Sequence, residues 1–265
     1  MPRFGKLRII RRINLLVAVT LLAIAGASSA LAWGMPTPVT EQAQRIEHVW
    51  IFMLIIALVI FFAVEGALVY ALIRYRKKSD ELPPQTHGST PVEIVWVAIP
   101  VVIVIALFSY SFIVLRDIEQ DAPPDALSVE VHGFQFSWEF TYDLARLGRG
   151  ADPDAEGTFS IIGRPGAKPT MVIPVGEPVE FRLVSNDVIH AFYVPDFLFK
   201  LDLVPGRDNR FTVTATQTGE FLGKCAEFCG LDHTEMLFHL RVVEREEFDR
   251  WVAEQVQANE TVRQP

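Results

Sequence analysis

Twelve residues near the C-terminus carry the densest chemistry in the chain: Cys225-Ala226-Glu227-Phe228-Cys229-Gly230-Leu231-Asp232-His233-Thr234-Glu235-Met236. They supply two thiols, an imidazole and a thioether, and the two cysteines are the only ones among 265 residues. Soft sulfur ligands combined with imidazole suit copper better than other common metals. The run before them, Gly219 to Lys224, is aromatic and glycine-punctuated and reads as a strand ending in a loop. A second imidazole, His190, lies upstream in Asp187-Val188-Ile189-His190-Ala191-Phe192-Tyr193-Val194-Pro195, where one strand gives way to another. In a small β-sandwich, a histidine at a strand end can reach a loop at the same end. Such a site points to electron transfer rather than hydrolysis.

Two thiolates four residues apart can each bridge two metal ions. Each ion then takes one histidine, and the weaker positions fall to Met236 and a backbone carbonyl. Two thiolate bridges would let two coppers share one electron, which lowers reorganisation. Three readings compete. A Cys225–Cys229 disulfide is compatible with an extracytoplasmic location but leaves Met236 and both histidines without a role. A zinc site of Cys225, Cys229, His233 and His190 satisfies the ligand count but rarely uses a thioether. A mononuclear blue-copper site needs only one thiolate. The residue types favour the dicopper reading over these three. His132, His239, His48 and His87 lack ligand-like neighbours and are expected to be structural or superficial.

The elements that must position this loop divide the chain in two. Residues 1–115 carry 10 Lys/Arg and 6 Asp/Glu, and the remainder carries 14 and 26. The first part holds three apolar runs; the second is acidic, which raises solubility and can steer a cationic partner. No nucleic-acid partner is expected. Arg3, Lys6, Arg8, Arg11 and Arg12 precede an apolar stretch, Leu15 to Leu31, that exits through Ala30-Leu31-Ala32. This is the pattern of a signal peptide, predicted as residues 1–32 and cleaved after Ala32. Residues 33–118 read as a transmembrane hairpin with spans near 49–73 and 94–115, each long enough for a ~30 Å hydrocarbon core. Arg74, Arg76, Lys77 and Lys78 at the exit of the first span place the connecting loop in the cytoplasm and the C-terminal domain outside. Glu65 lies within a span, so it should face protein or be protonated. Glu93 opens the second span, where an acid favours the helix dipole. Pro100 is a candidate kink or packing point in that span.

Beyond Pro123 and Pro124 the pattern turns to short β-type runs: 127–131, 134–142, 159–162, 170–174, 179–184, 191–194, 211–215 and 237–243. Turn residues separate them, and this spacing predicts a sandwich or small barrel over residues 119–243. Ala145–Gly157 reads as a surface insertion. Residues 244–265 form a final helix and tail, with Phe248, Trp251, Val252 and Val256 at helical spacing.

The loop Cys225–Met236 resembles the dicopper loop of subunit II of cytochrome c oxidase. The resemblance extends over Val49–Val243 and includes the two-span hairpin, His190 with Pro195, Lys200, Asp202 and Pro205-Gly206-Arg207. The stretch Val188–Arg207 looks most like Gram-positive, actinobacterial-type enzymes. The resemblance implies a cupredoxin-like Greek-key sandwich in which Cys225 and Cys229 bridge both coppers. His190 and Met236 would complete one copper, and His233 with the Glu227 carbonyl the other. The Glu227 carboxylate would reach a magnesium ion shared with subunit I. Glu93 matches the acid at the mouth of the proton-conducting K-pathway. The family's aromatic stretch usually reads Gly-x-Gln-Trp-x-Trp, and its first Trp receives electrons from cytochrome c in many members. Here the stretch is Gly133-Phe134-Gln135-Phe136-Ser137-Trp138, so Phe136 stands at that position and Trp138 is a candidate substitute. The chain has no Cys-x-x-Cys-His motif for covalent haem. Its donor would be a separate cytochrome c, soluble or membrane-bound. The resemblance implies a multi-pass protein of a bacterial plasma membrane, working with subunit I and the other oxidase subunits. A membrane-anchored copper chaperone is the alternative from another class. A quinol-oxidase subunit II shares the fold but normally lacks the copper ligands, and the copper domain of nitrous-oxide reductase lacks the anchor.

Overall fold

Alternating apolar residues build both faces of a β-sandwich that carries the metal loop at one end. A computed structural model of the chain describes residues 35–77, 80, 85, 87–148, 156–164 and 166–263. The expected signal peptide and most of the expected insertion at 145–157 lie outside the described residues. Pro38–Pro265 cluster as one unit, and Met1–Thr37 as another.

Two long helices come first, α1 (Glu41–Arg74) and α2 (Thr90–Ile118). Both are strongly apolar, and the hydrophobic window of each is wholly unburied by the chain itself. At 1.5 Å per residue the 34 residues of α1 extend roughly 50 Å, well beyond a hydrocarbon core. The excess explains why α1 starts earlier than the expected span. Thr40 caps the helix, its Oγ1 accepting from Ala43 N at 3.0 Å. The segment then docks on the β-domain: Val39 N donates to Asp196 O, and Gln42 Oε1 accepts from Thr214 N. Val39, Thr40 and Ala43 are buried there. Arg45 of α1 pairs with Asp117 of α2. Glu65 is exposed on α1, so the chain does not itself provide its cover.

The outer domain has ten strands: β1 (Leu127–Phe134), β2 (Ser137–Asp143), β3 (Thr158–Ile162), β4 (Thr170–Pro174), β5 (Pro178–Ser185), β6 (His190–Val194), β7 (Phe199–Leu203), β8 (Asn209–Thr214), β9 (Gly219–Cys225) and β10 (Leu237–Val243). They form two five-stranded sheets, ordered β3-β2-β1-β5-β8 and β4-β10-β9-β6-β7. Most neighbours are antiparallel, but β1 runs parallel to β5 and β10 parallel to β4. The inner faces meet in an aromatic core that includes Trp138, Phe140, Phe181, Phe192 and Phe238, all buried. Tyr142 of β2 ties the sheets together: its hydroxyl donates to Val172 O and accepts from Val172 N on β4, both at 2.9 Å.

Two expectations need revision. The run 134–142 is not one strand. It breaks at Gln135-Phe136, a two-residue turn that pairs Phe134 with Ser137. β7 was not expected, because Lys200 and Asp202 interrupt its apolar residues. A 3₁₀ turn at Pro195–Phe197, closed by Leu198 at φ 53°, folds it back onto β6. The C-terminal helix α3 spans Arg245–Arg263. It buries Phe248, and Trp251 meets Tyr142 and Phe159 edge-on.

Candidate metal centre

Strands β6 and β9 and the loop between β9 and β10, at one end of the second sheet, supply every side chain of the predicted cluster. β9 ends at Cys225, and the loop that follows is pinned twice to its neighbours. Cys225 N donates to Met236 O, and Ala226 N donates to Ala191 O on β6. His190, the first residue of β6, is thereby brought alongside. His190, Cys225 and Cys229 place their ligand atoms within 4.8 Å of one another, the only such group of His, Cys, Asp or Glu found among the described residues.

Both thiols are free and buried, with their sulfurs 3.9 Å apart. The His190 Nδ1 lies 3.9 Å from Cys225 Sγ, and the His233 Nδ1 lies 3.5 Å from Cys229 Sγ. The Met236 thioether is buried at 3.8 Å from Cys229 Sγ. The carbonyl of Glu227 faces Cys225 Sγ at 3.2 Å. Five side chains and one carbonyl thus converge on one small volume. A disulfide is not formed, and the buried thioether has no role in a zinc site. The donor set is the soft, imidazole-containing set that fits copper.

Charge is distributed unequally in this cluster. Burial raises the Cys225 thiol, but the His190 ring and the backbone at Ala191 and Glu227 outweigh it and bring it down to about 7. Burial pushes Cys229 up, and the neighbouring Cys225 adds to it, reaching about 12. A thiolate on one sulfur disfavours a second beside it, so ligation by both requires a cation that displaces the protons.

Residues outside the ligand set aim the ligands, and the sequence reading had assigned them no role. Asp187 Oδ1 lies 2.9 Å from His190 Nε2, which turns Nδ1 toward the sulfurs. Burial would raise Asp187, but hydrogen bonds from His190 and from the N–H groups of Val188 and Gln135 overcome it, leaving the carboxyl at about 2. Ser185 Oγ also donates to Asp187 Oδ1. The available signal was Asp187 three residues before His190, a spacing that brings a carboxylate back onto the same imidazole.

The other predicted site residues fall at different places. Trp138 is fully buried, and its indole N–H donates to Met236 O at 3.3 Å. Phe136 is half-buried, with its ring against Gly230 of the metal loop. Glu227 is half-buried. Glu93 lies at the opposite end of α2 from the β-domain and accepts from Ser89 N at 3.3 Å, a helix-capping contact. Phe228 and Leu231, at the tip of the metal loop, are 77% and 91% exposed.

Known proteins are similar to this chain over most of its length. Residues 155–243 match the family described as cytochrome C oxidase subunit II, periplasmic domain, and residues 28–114 match the corresponding transmembrane domain. The probable cytochrome c oxidase subunit 2 of Streptomyces avermitilis is 36% identical over 260 residues, covering 86% of this chain and 80% of that one. Its counterpart in Streptomyces coelicolor is 35% identical over 257 residues, with the same coverage of both chains. Among solved structures, the periplasmic domain of subunit II of cytochrome oxidase (CoxB) from Bradyrhizobium japonicum is 33% identical, with a TM-score of 0.44, covering 52% of this chain and 99% of that one. The chain belongs to the cytochrome c oxidase subunit II family.

Proposed function

We propose that this chain is the electron-accepting subunit of a bacterial cytochrome c oxidase, taking single electrons from a cytochrome c and passing them to haem in subunit I. Oxygen reduction and the proton pumping coupled to it then take place outside this chain. What carries the reading is the pair of free thiols 3.9 Å apart, flanked by a buried imidazole and a buried thioether. Cys225, Cys229, His190, His233, Met236 and the Glu227 carbonyl would hold a pair of coppers, which would supply fast one-electron transfer with small reorganisation.

The chain's own residues then hold the ligands and exclude water. Asp187 fixes the His190 ring, Trp138 fixes the Met236 carbonyl, and the aromatic core closes the inner side. Phe136 is a half-buried contact on the metal loop, and Trp138 lies behind it. This pair is where an electron from the donor would reach the site. Phe136 would act there by close packing, and Trp138 through a redox-capable ring whose centroid lies 6.4 Å from that of His190. On the membrane side, Glu93 would receive protons at the mouth of the K-pathway, and the Glu227 carboxylate would share a magnesium ion with subunit I. The anchor would hold the protein in the plasma membrane with the β-domain outside, after removal of residues 1–32.

The test is an electron paramagnetic resonance spectrum of the full-length, copper-loaded chain in detergent, with its metal content measured. Hyperfine structure from one electron shared by two copper nuclei is expected, with two coppers per chain. A diamagnetic protein holding one zinc would overturn the reading. Two coppers that exchange freely but never cycle between oxidation states would favour a copper chaperone.

A further inference from the structure

The turn between β1 and β2 touches both halves of the metal centre without supplying a ligand. The side-chain amide of Gln135 donates to the Cys229 carbonyl at 2.7 Å. The backbone N–H of the same residue donates to Asp187 Oδ2, also at 2.7 Å. The other oxygen of that carboxylate holds His190 Nε2. One residue therefore grips the peptide of a thiolate ligand and the carboxylate that aims a histidine ligand. Those ligands come from different elements, the loop after β9 and the start of β6.

The flanking residues seat the turn against the same two arms. Gly230, next to Cys229, has φ +135°, and a Cβ there would lie 2.9 Å from the Phe136 ring. A Cβ on Gly133 would lie 3.3 Å from the His190 side chain. Gly230 has no room for a side chain, and at Gly133 the neighbours would have to give way, so the turn approaches both arms closely.

We propose that Gln135 is a positioning residue that latches the cysteine loop to the His190 arm and sets the ligand spacing before metal arrives. The proposal rests on the dicopper reading. Satisfying the Cys229 carbonyl fixes the peptide plane beside the sulfur, so the Cys229 side chain keeps one orientation relative to His190. Ligands held in this way move little when an electron arrives or leaves. Replacing the Gln135 side chain removes only the bond to the loop, because the backbone N–H to Asp187 persists in any residue but proline.

The experiment compares full-length wild-type chain with Gln135→Met and Gln135→Glu, each copper-loaded in detergent. Met keeps the length without a donor, and Glu turns a carboxylate toward the carbonyl. The readouts are release of Cu(I) to bathocuproine disulfonate, the copper hyperfine splitting, and melting of the copper-free chain. Absence of the two-copper spectrum in wild type would sink the dicopper reading and this inference with it. With that spectrum present, we expect copper release about tenfold faster in both variants, as for other residues that orient metal ligands. The hyperfine splitting changes and the copper-free melting point does not. Glu139→Gln, on the same hairpin but paired with His132, releases copper at the wild-type rate. Wild-type release and splitting in both Gln135 variants would sink the latch alone. So would a lowered copper-free melting point with an unchanged spectrum, which would make Gln135 merely structural.

Discussion

The two histidines of the metal centre are held in opposite ways. His190 is fully buried at the start of a strand paired on both sides, and its ring is fixed by a carboxylate that itself accepts three further hydrogen bonds, from Ser185, Val188 and Gln135. His233 sits in a single 3₁₀ turn, half-buried, with its N–H bonded to Gly230 O of the same loop at 3.3 Å. Its ring meets groups of the same loop, the exposed Phe228 edge-on at 5.8 Å and Cys229 Sγ through Nδ1. One arm is placed by the sandwich, and the other by the loop's own short turns. A site can thus be pre-organised on its buried side while the side toward solvent and partners stays adaptable.

The sharpest test of this asymmetry is to remove each imidazole in turn. His190→Ala should abolish the two-copper hyperfine pattern and also lower the stability of the copper-free chain by about 1–3 kcal/mol, because Asp187 loses its charge-assisted partner. His233→Ala should disturb the spectrum comparably yet leave copper-free stability within about 0.5 kcal/mol. Thermal melts of the two copper-free variants decide the matter. Equal destabilisation would mean that the two arms are built alike.

A smaller effect is expected one step out from the metal. Asp187→Asn keeps the size of the side chain but removes the charge that holds His190 Nε2. Copper affinity, measured by competition with a chelator, should fall by about 10–100-fold. An unchanged affinity would show that the strand alone aims the His190 ring.

The ligands were legible in the sequence because cysteine, histidine and methionine are rare and their spacing restricts the chemistry. Strands β4 and β10 were legible to the residue, since their apolar runs are uninterrupted by turn residues. The two membrane helices were legible as hydropathy, but their ends were not. Hydropathy marks where lipid begins, whereas α1 starts at Glu41, behind the Thr40 cap, because a docking segment extends it. β7 escaped notice because its outward Lys200 and Asp202 hide a strand whose inward Leu203 is buried. The turn at Gln135-Phe136 carries no glycine, proline or asparagine, so nothing local announced it. Asp187 carried a signal, standing three residues before the imidazole it holds, but the role of Gln135 depends on contacts across 52 and 94 positions. Spacing along the chain carries no signal at that range.

The adaptable arm makes the last and smallest prediction. Phe228 is 77% exposed, and its one ring contact is His233. An exposed aromatic of this kind contributes little to folding, so Phe228→Ser should change stability by no more than about 0.5 kcal/mol. Copper release should also stay near the wild-type rate, because the His233 Nδ1 is placed beside Cys229 by the turn at His233–Glu235 and not by the Phe228 ring. Melting curves and chelator competition on the same sample would check both. A large loss of copper affinity would mean that the exposed ring, rather than the loop backbone, holds the open arm. The contrast between the two histidines would then be one of which side chain supports each, not of whether support exists.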